Sequence, residues 1–107
     1  MNYEVSLVAE AETDLYEVHR YVESHDSAPR ADALLDGIEQ TVVGLSKMPQ
    51  RGHHPPELER IGITEYRELH YKQFRIIYVI HDKEVIVHCL LDGRRDMQTL
   101  LQQRLLR

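Results

Sequence analysis

The run Gln73–Asp96, QFRIIYVIHDKEVIVHCLLDGRRD, decides the fold. Two apolar stretches, QFRIIYVIH and KEVIVHCLL, follow each other with only Asp82 and Lys83 to make a turn. Valine, isoleucine and tyrosine at this density suit strands, and so short a connection permits only an antiparallel hairpin. A turn at Asp82 and Lys83 pairs Ile80 with Val85, Tyr78 with Val87, Ile76 with Cys89 and Phe74 with Leu91. That face is wholly apolar. The opposite face pairs His81 with Glu84, Val79 with Ile86, Ile77 with His88 and Arg75 with Leu90. It is mixed, and is expected to stay partly open.

Working outward, TEYRELHY (Thr64–Tyr71) supplies a third strand through another very short turn, so the three form a meander. On the other side, RRDMQTLLQQRLLR reads as a closing helix. Asp96 lies near its start and Arg104 and Arg107 near its end, each where its charge suits the helix dipole. Leu100, Leu101, Leu105 and Leu106 need a cover, either the sheet or a partner.

The first half has a different period. NYEVSLV (Asn2–Val8) alternates as a short strand, after which Ala11, Leu15, Val18 and Val22 fall at helical spacing. SHDSAP interrupts, offering Asp26 or Ser27 as a helix cap and Pro29 in a first turn where its missing N–H costs nothing. A second helix carries Ala31, Leu34, Leu35, Ile38, Val42 and Leu45 along one stripe until Met48 and Pro49. The two make a helical hairpin. Pro49–Gly62, PQRGHHPPELERIG, is expected to be a surface loop. The expectation is therefore one α+β domain spanning residues 1–107, of order β-α-α-β-β-β-α, whose antiparallel sheet is covered on its apolar face by the hairpin.

The chain has 107 residues, 42% of them hydrophobic, which suits a single modest core. Its apolar runs fall far short of the roughly 20 residues of a membrane span, and no signal-peptide layout opens it, so a cytoplasmic protein is expected. Cys89 is the single cysteine, which excludes an internal disulfide and reads as a buried small hydrophobe. The net charge of -5 argues against simple electrostatic binding to nucleic acid. It is unevenly spread: residues 1–40 sum to -8 and residues 41–107 to +3. Two solvated acidic helix faces account for the first half, while the basic half is the side that would meet an anion.

Antiparallel pairing sets the start of QFRIIYVIH beside the end of VIVHCLLDGRR, which brings Arg75 toward Arg94 or Arg95, with Arg67 available from the preceding strand. Such an arginine rim suits phosphate or carboxylate, because each guanidinium is a rigid fork of donors. Pairing with Asp92, Asp96, Glu65 and Glu68 is the competing reading. His53 and His54 are adjacent and point apart in extended backbone, a poor metal pair, so no metal or cofactor is expected. Asp14, Glu17 and His19 read as exposed helix residues, and Tyr78 as core.

Taken together, the strand, helical hairpin, proline-rich loop and YRELHYKQFRIIYVIHDKEVIVHCLLDGRRD resemble the RelE/ParE superfamily of type II toxins. FRIIYVI stands where that family has its Tyr-Arg-hydrophobic-hydrophobic-Tyr strand, and LLDGRRD where a strand runs into basic residues. The resemblance implies a cytoplasmic toxin neutralised by a cognate antitoxin that masks the arginine edge, with a homodimer or larger assembly possible through the last helix. RelE-type members cut ribosome-bound mRNA, whereas ParE-type members poison DNA gyrase without established catalytic residues. It places Arg75 and Arg95 at the nuclease arginine positions, with Glu68, His70 and His88 as acid/base candidates. Nuclease lysines appear here as Tyr66 and Glu68, and a nuclease tyrosine as Leu101. Those departures, and the acidic chain, favour the gyrase-directed branch over a ribosome-dependent endonuclease or a binding module without toxicity.

Overall fold

The computed structural model describes residues 2–106; Arg107 lies outside them. The order is β1 (Glu4–Leu7), α1 (Ala9–His25), α2 (Ala28–Val43), α3 (Pro56–Glu59), β2 (Tyr66–Tyr71), β3 (Phe74–His81), β4 (Glu84–Asp92) and α4 (Met97–Leu105). The expected α+β layout is present, with α3 as an addition. The sheet has the order β1-β4-β3-β2. It is mixed rather than antiparallel throughout, because β1 runs parallel to β4, pairing Glu4 with Glu84 through Leu7 with Val87. The helical hairpin that follows β1 is long enough to return the chain in the same direction, as a short turn is not.

Ser27 is the cap of α2: its side chain accepts a hydrogen bond from Arg30 N at 3.2 Å, and Pro29 sits in the first turn. The helical stripes then bury Ala11, Leu34, Ile38, Val42 and Leu45 against Phe74, Ile76, Tyr78, Val85, Val87 and Leu90 of the sheet.

One feature of β4 redirects its second half. The register runs as expected from His81↔Glu84 to Tyr78↔Val87, then shifts, so that Ile77 pairs with Cys89, Ile76 with Leu90 and Arg75 with Leu91. His88 is the extra residue of a β-bulge. Since a one-residue shift reverses every later side chain, Leu90 packs toward the hairpin while Cys89 and Leu91 pack on the other side. The unbroken alternation expected for these residues does not hold.

That other side is open only in part, as expected. Leu58 of α3 and Met97 and Leu101 of α4 close over Tyr66, Ile77, Cys89 and Leu91 as a second core. Cys89 is fully buried, and burial pushes its thiol pKa up to about 12, so it behaves as the small hydrophobe expected. The far end of α4 is tied to α1. Arg104 donates to both carboxylate oxygens of Asp14, at 3.0 and 2.8 Å, and Asp14 also accepts from the backbone N–H of Leu90 at 3.0 Å.

The segment expected as a free loop is strapped to the sheet. Tyr78 Oη donates to Pro49 O at 2.6 Å and accepts from Gly52 N at 3.2 Å. His53 and Glu68 exchange both backbone hydrogen bonds, at 3.1 and 2.7 Å, in an isolated antiparallel bridge on the β2 edge. Gly52 makes this approach possible. A Cβ there would stand 2.5 Å from both Glu68 O and Tyr78 Oη.

Candidate functional site

Strand alternation puts Glu68 and His70 of β2 on the same face as Arg75 of β3, and Arg75 pairs directly with His70. The second core covers the rest of this face, and the Arg75 side chain, 11% exposed, reaches the surface only at the floor of the cleft it lines with His53, Glu68 and His70. It stays charged because two carboxylates surround it. Arg75 Nε donates to Glu68 Oε1 at 2.5 Å and Nη2 to Glu68 Oε2 at 2.9 Å. Glu57 closes the other side, accepting from Nη1 at 2.9 Å and Nη2 at 2.7 Å. Glu68 is 1% exposed and Arg75 9%. These hydrogen bonds hold the guanidinium pKa above its ordinary value and the Glu57 carboxyl below its own.

The glycine of LLDGRRD belongs to the same arrangement. Arg75 runs its aliphatic stem over Gly93, where a Cβ would lie 2.9 Å from Arg75 Cδ. Gly93 N also donates to Gln73 O at 2.8 Å, which pins the end of β4 to the β2–β3 turn.

Glu68 has two further neighbours. His53 Nε2 stands 3.1 Å from Oε2, and His70 Nε2 stands 3.3 Å from Oε1. The two rings meet edge to face with centroids 5.4 Å apart. His53, Pro56, Glu68, His70 and Lys72 line a shallow cleft above the Arg75 network. The adjacent histidines do point apart as expected, since His54 Nδ1 bonds instead to Tyr66 O at 3.0 Å. What local spacing could not reveal is that His53 meets His70 across the bridge.

The four arginines expected on one rim are dispersed. Arg67 lies on the opposite face of β2 and donates to Gly52 O at 2.8 Å and Gln50 O at 3.4 Å. Arg75 is enclosed. Arg94 is exposed and forks onto Asp92, with Nε and Nη2 at 3.0 and 2.7 Å from its two carboxylate oxygens. Arg95 is exposed, and its side chain makes no hydrogen bond among the described residues. Arg94 and Arg95 alone share a surface, a cleft with Asp14, Glu17 and Tyr21. His88, at the bulge, packs edge to face on Tyr66 and is half-buried, and burial lowers its pKa. No hydrogen bond joins it to Glu68 or Arg75 among the described residues. Glu57 was missed in the sequence reading. Its signal was PPELE, a proline followed by acidic residues, which is how a short helix starts.

A family model described as the ParE toxin of the type II toxin–antitoxin system, parDE, matches residues 5–97. The chain belongs to the ParE toxin family. Two solved structures share the fold of this ParE-family toxin. One, the chromosomal ParDE toxin–antitoxin system from P. aeruginosa, is 16% identical with a TM-score of 0.69, covering 82% of this chain and 92% of its own. The other, the toxin–antitoxin complex RelBE2 from Mycobacterium tuberculosis, is 21% identical with a TM-score of 0.64, covering 86% and 92%. A search of curated proteins found no match. The resemblance drawn from FRIIYVI and LLDGRRD is thus borne out at the level of the superfamily. No helix among the described residues is long and apolar enough to cross a membrane.

Proposed function

We propose that this ParE-family toxin inhibits DNA gyrase and is held inactive by a cognate antitoxin. The observation that carries the reading is the enclosure of Arg75 between Glu57 and Glu68. Cleavage of mRNA requires unpaired positive charge facing the phosphate as its transition state gains negative charge. Here the two carboxylates outnumber the guanidinium, and the cluster's formal charge is -1. A phosphate approaching it meets net repulsion. Arg94 is held by Asp92, which leaves the exposed Arg95, with no side-chain hydrogen bond among the described residues, as the basic contact offered to an antitoxin. Both fold relatives belong to toxin–antitoxin pairs, which supports such a partner.

Purified toxin added to gyrase is expected to suppress DNA supercoiling and to accumulate cleaved DNA. Unimpaired supercoiling at excess toxin refutes the proposal. The ribosome-dependent endonuclease is the alternative that one observation favours, namely Glu68 flanked by His53 and His70 as an acid/base group. It predicts codon-phased cuts in ribosome-bound mRNA that disappear in Glu68→Gln, Arg75→Ala or Arg95→Ala.

A further inference from the structure

We propose that His53, Glu68 and His70 form a binding site for a zinc-type divalent transition-metal ion. The backbone builds the site before any ion arrives. In the His53–Glu68 bridge the two side chains lie directly across from one another, and His70 follows two residues along β2 on the same face. Nitrogen and oxygen ligands held about 2.0–2.2 Å from zinc in a tetrahedron stand roughly 3.3 Å apart. The observed spacings are 3.1 Å for His53 Nε2 to Glu68 Oε2 and 3.3 Å for His70 Nε2 to Glu68 Oε1. One ligand atom from each residue falls within 4.8 Å of the others. Small rotations of two half-exposed imidazole rings are enough to converge them.

The surroundings suit that ion and few others. Two imidazoles and one carboxylate match the donor preference of zinc and its first-row neighbours, whereas calcium and magnesium require oxygen shells. Glu68 is the fixed member: it is buried, and Arg75 donates to both of its oxygens, the outer-shell support that orients ligating carboxylates. Each imidazole now faces the carboxylate through Nε2, so without metal that nitrogen carries the proton when the ring is neutral. On binding, the proton moves to Nδ1, and neither Nδ1 is engaged in a hydrogen bond among the described residues. The formal charge of Glu57, Glu68 and Arg75 changes from -1 to +1 with a divalent ion in place. Both rings are exposed, 61% for His53 and 54% for His70. The outward coordination position therefore opens on the cleft, free for water or a donor from another molecule.

The test is titration of the full, tag-free chain with Zn²⁺ by calorimetry, and with Co²⁺ by visible absorption. One ion per chain is expected, with ligand-field bands for Co²⁺. His53→Ala and His70→Ala should each weaken Zn²⁺ binding by more than the roughly 10- to 100-fold that loss of an outer-shell partner costs. His54→Ala should leave it unchanged. Both ligand histidines are exposed, so their variants are expected to keep the parent's thermal transition, which a melt without metal verifies. Absence of saturable binding overturns the site. So does binding that survives either histidine variant, or that His54→Ala weakens equally. The outcome is independent of the gyrase assay, because it is read on the isolated toxin.

Discussion

At the scale of single residues, Arg75 shows how burial decides the meaning of a charge. A guanidinium and two carboxylates removed from water are costly, and the network persists because four hydrogen bonds from Arg75 engage all four oxygens of Glu57 and Glu68. Replacing one partner leaves the others uncompensated. Arg75→Met is expected to cost about 3–5 kcal/mol in chemical unfolding, because Glu57 and Glu68 then face each other without a cation. The double variant Arg75→Met/Glu68→Met should recover part of that loss, and a strictly additive cycle would contradict the coupling. Glu57 adds a pH dependence. Its folded pKa lies below the ordinary 4.5, so its contribution is complete above 4.5 and is lost as pH falls through the folded value. Denaturation profiles from pH 6 to pH 2 should lose stability over that window in the parent and less steeply in Arg75→Met.

Among elements, β4 separates what a pattern encodes from what only packing reveals. The hairpin, its turn at Asp82 and the pairing from His81 to Tyr78 were legible, since alternation and a two-residue connection leave one register. The bulge was not. VHCLL contains no glycine or proline to announce an extra residue, and Cys89, Leu90 and Leu91 are apolar whichever way they point. Its cause is the presence of two cores, one on each face, which an all-apolar run satisfies at any phase. The arginine rim failed for a related reason: strand pairing placed Arg75 correctly in the sheet, but Glu57 arrives from a segment with no regular periodicity. Because His88 is the surplus residue, its deletion should leave Leu90 on the hairpin side and preserve cooperative thermal unfolding. Insertion of alanine between Leu90 and Leu91 should instead reverse Leu91 and abolish the transition.

For the molecule as a whole, two cores share one sheet, and α4 is the lid of the second. Its Leu101 is fully buried against the sheet. Leu101→Ala should cost about 2–5 kcal/mol in urea unfolding. The charge asymmetry in the sequence finds its place here too, since Arg104 of the basic half closes on Asp14 of the acidic half. The same carboxylate also reaches the sheet's edge. β1 ends at Leu7, so beyond Val87 the outer margin of β4 is left without a neighbouring strand. By capturing the Leu90 amide, the Asp14 carboxylate withholds a donor on which a foreign extended segment would seed itself. Asp14→Ala is therefore expected to self-associate as it is concentrated, visible as earlier elution from a sizing column, while the parent's elution volume stays constant.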